Sequence, residues 1–187
     1  ILYAYTSAAG NNGNVKRFES DRAAGKDGES YIFFVGRESY PLNWVENPCY
    51  EWGKAQVLQE GSDVVLVGSG VLLNRVIEAG EQLADTGVKA TVINNPFINH
   101  PDVDAIGAAV SAADGNLVTI EDHQSIGGMG AQLSHALSRA GITHRVRTLG
   151  IDGQFGQSAY KADHLYDKNG LSVEGVIAAV KELLGNS

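Results

Sequence analysis

The sequence predicts a three-layer α/β/α sandwich built on a mostly parallel five-stranded sheet with one antiparallel edge strand. From residue 63 onward, short apolar segments alternate with longer amphipathic ones, which is typical of parallel strands joined by right-handed helical crossovers. The short segments are apolar throughout, as expected for strands that helices cover on both faces. An apolar content of 43% is sufficient to form the core of such a sandwich.

Residues 1–50 are predicted to be a preceding segment or linker from an upstream domain, and residues 51–187 to be a second domain. An apolar strand signal at residues 31–35 stops at Gly36. The following stretch, up to residue 53, holds two prolines and has no periodicity, as expected for a linker. The chain begins at Ile1 without an initiator methionine, which suggests a piece of a longer protein.

The first element of the second domain is predicted to be an edge strand at residues 53–60. Its apolar residues, Ala55 and Val57, alternate loosely with polar ones, as in a strand with one covered face. Residues 60–62 have the composition of a hairpin turn, so this strand is predicted to run antiparallel at one edge of the sheet.

The remaining strands and helices follow in alternation along the chain. Strands are predicted at residues 63–67, 89–93, 116–120 and 145–149. Helices are predicted at residues 71–86, 102–113, 127–140, 160–168 and 172–184. Gly87 and Gly141 stand where a C′ glycine ends a helix.

Charge and cysteine content exclude several classes of function. The net charge of −8 argues against nucleic acid and anionic membranes as main partners. The longest apolar runs, such as residues 64–67, are too short to cross a bilayer. The single cysteine, Cys49, forms no intrachain disulfide and fits a cytoplasmic protein.

Three polar, titratable residues, Glu121, Asp122 and His123, stand at the carboxyl end of the strand predicted at residues 116–120. In an open α/β sheet, ligands and partner chains usually meet this edge. A histidine beside carboxylates can relay protons, but consecutive residues at a strand end point in different directions. We therefore expect a docking or structural role here and predict no catalytic residue.

Glycine-rich turns follow two of the predicted strands. Gly127, Gly128 and Gly130 can bind an anion at the start of a helix or allow that helix to pack closely. Because no lysine or arginine adjoins them, packing is the favoured interpretation.

The other glycine-rich turn, Gly68, Ser69 and Gly70, is a weaker candidate for a phosphate loop. Leu73 replaces the third glycine of a dinucleotide fingerprint, and the next strand ends without an acidic residue. A tight strand-to-helix turn is therefore favoured. The histidines are scattered without metal-ligand spacing, so no metal site is predicted.

Five motifs, in this order, are similar to the C-terminal part of transketolases. They are Tyr31–Glu38, Gly53–Gly61, Asp63–Gly70, Val118–His123 followed by Gly127–Gly130, and Phe155–Ser158 followed by Leu165–Ser172. Ala159 departs from the pattern, because the family usually has glycine after that serine. Related C-terminal domains occur in deoxyxylulose-phosphate synthases and in the beta subunits of 2-oxo-acid dehydrogenases.

The resemblance implies part of an enzyme that transfers a ketol unit between sugar phosphates, as in the pentose phosphate pathway. Whole transketolases use thiamine diphosphate and a divalent metal, Mg²⁺ or Ca²⁺, bound between domains of paired subunits. The C-terminal domain has no established catalytic residue; it packs on the pyrimidine-binding domain and contributes dimer contacts.

The resemblance implies that the fragment itself binds no cofactor. It also implies that the partner of the fragment is the rest of the transketolase chain or a partner subunit, and that the whole enzyme is a homodimer. The candidate docking residues are then Glu121, Asp122, His123, Gly127, Gly128, Gly130, Phe155, Gly156 and Ser158. Two alternatives stay open: the C-terminal domain of a related thiamine enzyme, either a deoxyxylulose-phosphate synthase or a 2-oxo-acid dehydrogenase beta subunit, and a regulatory module that binds a phosphate or nucleotide.

Overall fold

Residues 51–185 are described by the computed structural model, and predictions made for residues 1–50 lie outside this part of the chain. The strands are β1 (Gln56–Gln59), β2 (Val64–Gly68), β3 (Ala90–Asn94), β4 (Asn116–Gln124) and β5 (Arg145–Ile151). The helices are α1 (Leu73–Asp85), α2 (Val103–Ala112), α3 (Met129–Arg139), α4 (Ala162–Lys168) and α5 (Val173–Leu184). A short 3-10 turn, Gly70–Leu72, precedes α1.

The five strands form one sheet in the order β1-β3-β2-β4-β5. Strands β2 to β5 pair in parallel, and β1 pairs antiparallel with β3 at the edge. Helices cover both faces of the sheet. The predicted three-layer fold with one antiparallel edge strand is confirmed.

The predicted hairpin between β1 and β2 is wrong, because β3 lies between these strands. The chain leaves β1 and passes over the start of β3 before it enters β2. Gly61 makes this crossing possible, since a Cβ there would stand 2.5 Å from the Ala90 backbone carbon. The Gly61 N–H donates to Thr91 Oγ1 at 2.9 Å, and the Thr91 hydroxyl donates back to the Gly61 carbonyl at 2.7 Å.

Two apolar layers hold the helices to the sheet, and β2 contributes alternate residues to each. Val64 and Leu66 face the layer covered by α1 and α5, while Val65 and Val67 face the layer covered by α2 and α3. All four valine and leucine side chains are fully buried, which explains why this strand shows no polar alternation.

Helix boundaries follow the local capping chemistry. Asp102 accepts a hydrogen bond from the Ala105 N–H and begins α2, and Ser172 accepts one from the Gly175 N–H and begins α5. Gly185 ends α5 in the left-handed conformation, with φ of 72°. Within residues 51–185, no helix is long and apolar enough to cross a membrane.

Candidate functional site

Strand β4 continues four residues past its predicted end and contains Glu121, Asp122 and His123. Between the pairs Ile120–Leu149 and Gln124–Ile151, β4 advances by four residues while β5 advances by only two. The additional residues form a β-bulge, a device that redirects side chains at the rim of a sheet. In this bulge the Glu121 side chain is buried, and Asp122 and His123 are exposed.

The Glu121 carboxylate binds the first turn of α3. It accepts hydrogen bonds from the Met129 N–H at 2.6 Å and from the Gly130 N–H at 3.0 Å. These N–H groups have no partner within a helix, and they lie at its positive end. The chain therefore supplies its own anion at the position where a bound phosphate would otherwise sit.

Two of the three predicted glycines are required because the start of α3 packs closely against β4 and β5. A Cβ on Gly128 would overlap Glu121 Oε2 and the Gln124 carbonyl oxygen. A Cβ on Gly130 would overlap Thr119 Oγ1 and stand 2.7 Å from Thr148 Cγ2. Gly127 differs, because it has open space around it and needs its glycine for a φ of 79°.

The loops that follow β4 and β5 are tied to each other. Gln124 Oε1 accepts from the Gly153 N–H at 2.9 Å, and Gln124 Nε2 donates to the Gln154 carbonyl at 3.3 Å. The Ser125 hydroxyl donates to the Asp152 carboxylate, and the Ser125 N–H donates to the Ile151 carbonyl at 3.1 Å. We refer to residues 124–127 and 152–160 together as the two-loop surface.

The two-loop surface exposes large apolar side chains. Phe155 is 97% exposed, Tyr160 is 93% exposed and Ile126 is 81% exposed. Every residue from Asp152 to Lys161 is exposed. No atom lies within 4 Å of the position that a Cβ on Gly156 would occupy. Ser158 is exposed. A concentration of solvent-facing apolar groups on adjacent loops is typical of a surface that binds another protein.

The weaker candidate, Gly68, Ser69 and Gly70, lies at the end of β2. A Cβ on Gly68 would stand 2.6 Å from Val76 Cγ2, so this glycine allows α1 to pack on the sheet. Gly70 has φ of 58° and open space around it. Ser69 makes no side-chain cap for the turn that follows.

A buried amide that was not predicted as a site residue lies beside this turn. Asn95 is 1% exposed, and neither polar atom of its side chain has a hydrogen-bond partner among the described residues. Its backbone N–H donates to the Gly68 carbonyl at 2.9 Å. Gly68 pairs with Asn94 at the ends of β2 and β3, so Ser69 and Asn95 both follow directly after the paired strand ends.

Ion pairs between Arg75 and α4 hold the C-terminal part of the domain. Arg75 on α1 reaches Asp167 at 2.5 Å and Asp163 at 3.0 Å, and it donates to the Leu171 carbonyl at 2.6 Å. Burial alone would lower the pKa of Arg75, but the hydrogen bonds to Asp167 and Asp163 outweigh it, so the pKa is raised. This cluster is structural, and residues 51–185 contain no group of three acidic, histidine or cysteine side chains that could hold a metal ion.

Sequence reasoning did not identify Gln124, Ser125, Ile126 and Asp152 as members of the candidate surface. The hydrogen bonds of Gln124, Ser125 and Asp152 join residues 27 to 30 positions apart, and such pairs depend on the register of β4 against β5. The bulge sets this register, and one sequence carries no signal for a bulge that lacks a glycine or proline within the strand.

Comparisons with known proteins agree with this architecture. The family described as "Transketolase, C-terminal domain" matches residues 53–176. Among curated proteins, a 1-deoxy-D-xylulose-5-phosphate synthase from Desulfitobacterium hafniense is 37% identical over 132 residues, which are 70% of this chain and 20% of that protein. A 6-deoxy-6-sulfo-D-fructose transketolase subunit from a Clostridium species is 29% identical over 157 residues, 84% of this chain and 48% of the subunit.

A solved structure is also similar. It is described as "Split gene transketolase, inactive beta4 tetramer", where beta4 refers to the tetramer and not to a strand. Its TM-score is 0.72 and its sequence identity is 29%. The match covers 80% of this chain and 47% of the other. The chain thus spans about half the length of these transketolase relatives and a fifth of the synthase.

Proposed function

The chain belongs to the transketolase C-terminal domain family, and on that premise we propose that it is the C-terminal part of a thiamine-diphosphate-dependent transketolase. In this proposal the whole enzyme transfers a ketol unit between sugar phosphates. The chain itself contributes docking and dimer contacts, and the chemistry takes place on the remainder of the enzyme. Residues 1–50 then continue from an upstream domain, and residues 51–187 are the C-terminal domain.

The two-loop surface is the observation that supports the docking role. Three large apolar side chains face solvent there, and Glu121 already occupies the nearby helix N-terminus. The bulge presents Asp122 and His123 beside this surface. We assign docking contacts to these two residues and to Phe155, Gly156 and Ser158. Glu121 and the glycines shape the loop between β4 and α3, and they contribute to docking through that loop: Glu121, Gly127, Gly128 and Gly130.

Cofactor binding belongs to the remainder of the enzyme in this proposal. Thiamine diphosphate with Mg²⁺ or Ca²⁺ would supply the carbanion chemistry there. A homodimeric whole enzyme and a cytoplasmic location are further parts of the proposal.

Reconstitution tests this function. The 187-residue chain is mixed with the separately expressed thiamine-binding part of its parent enzyme, thiamine diphosphate and Mg²⁺, and ketol transfer from xylulose 5-phosphate is followed. We expect activity only when both parts are present. Activity of the chain alone, or a failure of the two parts to associate, would refute the proposal.

The second candidate is a regulatory module that binds a small phosphate compound at Gly68, Ser69 and Gly70. The unpaired amide of Asn95 and the open space at Gly70 favour it. Thermal shifts with inorganic phosphate, ATP, NAD and sugar phosphates provide the test. A ligand at 100 times its dissociation constant adds about 2.7 kcal/mol of stability, so no shift at millimolar concentration would exclude this candidate.

A further inference from the structure

We infer that Ser134 and His144 form a nucleophilic dyad, and that Ser134 is acylated by small, activated acyl donors. Ser134 lies on α3, and His144 stands directly before β5. The two-loop surface follows the end of β5, whereas His144 precedes its start, so the dyad is separate from the candidate docking residues. This inference goes beyond the proposed function and requires neither thiamine diphosphate nor a partner chain.

The hydrogen bonds of His144 fix the tautomer of its imidazole ring. His144 Nδ1 stands 3.0 Å from the Ile142 carbonyl oxygen, which can only accept, so Nδ1 carries the proton of the neutral ring. His144 Nε2 then has the lone pair, and it lies 2.8 Å from Ser134 Oγ. The Ser134 hydroxyl therefore donates its hydrogen bond to His144 Nε2.

This arrangement contains the three parts of an activated serine. A serine becomes a nucleophile when an adjacent base can take its proton and a third group orients that base, at distances of about 2.6–3.2 Å. His144 is the base, and the Ile142 carbonyl is the orienting group. The Ile142 N–H donates to the Leu137 carbonyl at 3.0 Å, which holds Ile142 against the end of α3. The Ile142 carbonyl also stabilises the imidazolium that forms when Ser134 loses its proton.

The surroundings of the dyad determine which acyl donors can react. Ser134 and His144 are half-buried, and their neighbours His135, Thr143 and Arg145 are exposed, so a small reagent can reach Ser134 Oγ. The backbone N–H groups around Ser134 lie inside α3 and are bonded to carbonyls one turn earlier. They are not available to stabilise a developing oxyanion, so the donor needs a good leaving group, as in acyl phosphates and aryl esters.

Positive charge is concentrated in the segment that contains the dyad. Residues 134–147 include three arginines and no acidic residue, in a chain whose net charge is −8. Arg145 donates to the neutral side-chain amide of Asn116 at 2.6 Å, and this contact leaves its charge uncompensated. An anionic donor such as an acyl phosphate is attracted to this segment, and added salt weakens the attraction.

The reaction proceeds in two balanced steps. Ser134 Oγ attacks the carbonyl carbon of the acyl phosphate, and its proton passes to His144 Nε2. The bond from that carbon to the phosphate oxygen breaks, and inorganic phosphate leaves with the proton from His144. Water then attacks the acyl-Ser134 ester with His144 as its base, which releases the carboxylic acid and restores the dyad. Neither step oxidises or reduces any group.

Peptide mass spectrometry of the 187-residue chain after incubation with acetyl phosphate tests the dyad. Ser134 is expected to be acetylated at least about a hundredfold faster than Ser138, because general-base catalysis contributes that much. Ser138 is the matched internal control, since it is exposed one turn further along the same helix. Among residues 51–185, only Ser134 of these two serines has a histidine partner. Added salt is expected to slow the acetylation of Ser134.

Two variants distinguish an activated serine from a structural hydrogen bond. His144→Gln can still form a hydrogen bond with Ser134 but cannot act as its base, so the acetylation of Ser134 is expected to fall to the rate of Ser138. Ser134→Ala is expected to lose the first-turnover burst of p-nitrophenolate from p-nitrophenyl acetate, a neutral aryl ester. Ser138→Ala is expected to keep that burst. Melting temperatures of the variants report whether they fold.

The outcomes decide each part of the inference. Equal acetylation of Ser134 and Ser138 in the parent chain, or undiminished acetylation of Ser134 in His144→Gln, would overturn the dyad. Acetylation by acetyl phosphate that does not change with salt would overturn the preference for anionic donors. The comparison of the two serines needs no variant, so it remains decisive if a variant does not fold. Failure of the dyad would leave the proposed function standing, because no outcome depends on the thiamine-binding part.

Discussion

At the scale of residues, a single buried carboxylate decides what the glycine-rich loop can do. Glu121 fills the space beside Gly128 and accepts hydrogen bonds from two backbone N–H groups at the start of α3. The sequence pattern of a strand, acidic residues and a glycine cluster predicted that this stretch was important. It did not predict that the acid and the glycines contact each other, because that contact depends on the bulge in β4.

Substitution of Gly128 tests this packing. A Cβ there overlaps the Glu121 carboxylate and the Gln124 backbone carbonyl, which cannot move without shifting β4. The residue has φ of −76°, so the effect is steric and involves no backbone strain. Gly128→Ala is expected to lower the free energy of unfolding by about 1–3 kcal/mol, and Gly128→Val by more, measured by urea denaturation.

Gly156→Ala is the control for this prediction. No atom lies within 4 Å of a Cβ built on Gly156, and its backbone has no left-handed φ. It is expected to match the parent in stability. Equal unfolding free energies for Gly128→Ala and the parent would reject the packing role.

A second prediction at this scale concerns the pair of Arg147 on β5 and Glu182 on α5. The Arg147 guanidinium donates to Glu182 Oε1 at 2.8 Å, and this hydrogen bond and the positive charge lower the pKa of the Glu182 carboxyl. A carboxyl with a depressed folded-state pKa contributes stability above its unfolded pKa, about 4.3. That contribution is lost as the pH falls through the folded-state value.

Thermal unfolding of Glu182→Gln and of the parent as a function of pH checks whether the stabilisation by Glu182 is lost as the pH falls. The parent is expected to have the higher melting temperature at pH 7 and low salt. The difference is expected to shrink as the pH falls below about 4 and to diminish with added salt. In an Arg147→Met background the substitution should have no pH-dependent effect. A difference that is constant with pH would contradict the assignment.

At the scale of elements, α4 illustrates how a helix can be held without a buried face. None of its seven residues is fully buried, so apolar packing contributes little. Arg75 joins α4 to α1 through Asp163 and Asp167, and its guanidinium stands 5.4 Å from the centre of the Tyr166 ring. The helix follows directly after the two-loop surface, so its anchoring also fixes one end of that surface.

Arg75→Ala is expected to loosen α4 selectively. Its hydrogen bonds to charged and carbonyl oxygens are partly exposed, so we expect a loss of about 1–2 kcal/mol. Hydrogen exchange should accelerate in residues 162–171 and stay unchanged in β2 and β4. Arg75→Lys, which keeps the charge but cannot bind two carboxylates and a carbonyl at once, is expected to be intermediate. Uniform acceleration over the domain would contradict this role.

Patterns that involve one element were predicted well from the sequence, and patterns that involve two distant elements were not. The apolar runs of β2 and β3 and the periodicity of α1 and α5 lie within about 20 residues each, and local propensity agrees with burial there. The partner of β1 was mispredicted, because a turn composition at residues 60–62 does not distinguish a hairpin from a crossing over β3. The extension of β4 through Gln124 was missed because Glu121 and Asp122 have low strand propensity.

At the scale of the whole molecule, the domain combines a fully buried apolar core with exposed loops at the carboxyl ends of its parallel strands. The carboxyl ends of the parallel strands carry the anchored loops, the exposed aromatic residues and the bulge. The chain matches a C-terminal domain family and spans a fraction of its relatives. These properties support a part that completes an enzyme by binding to the remainder of it.

The most direct test of this central claim is ketol transfer by reconstituted enzyme. The thiamine-binding part of the parent enzyme, at fixed concentration with thiamine diphosphate and Mg²⁺, is titrated with the 187-residue chain. We predict activity that rises and saturates with the added chain, and a curve shifted about tenfold to higher concentration for Phe155→Ser. A chain that turns over substrate alone, or one that adds nothing at any concentration, would contradict the account.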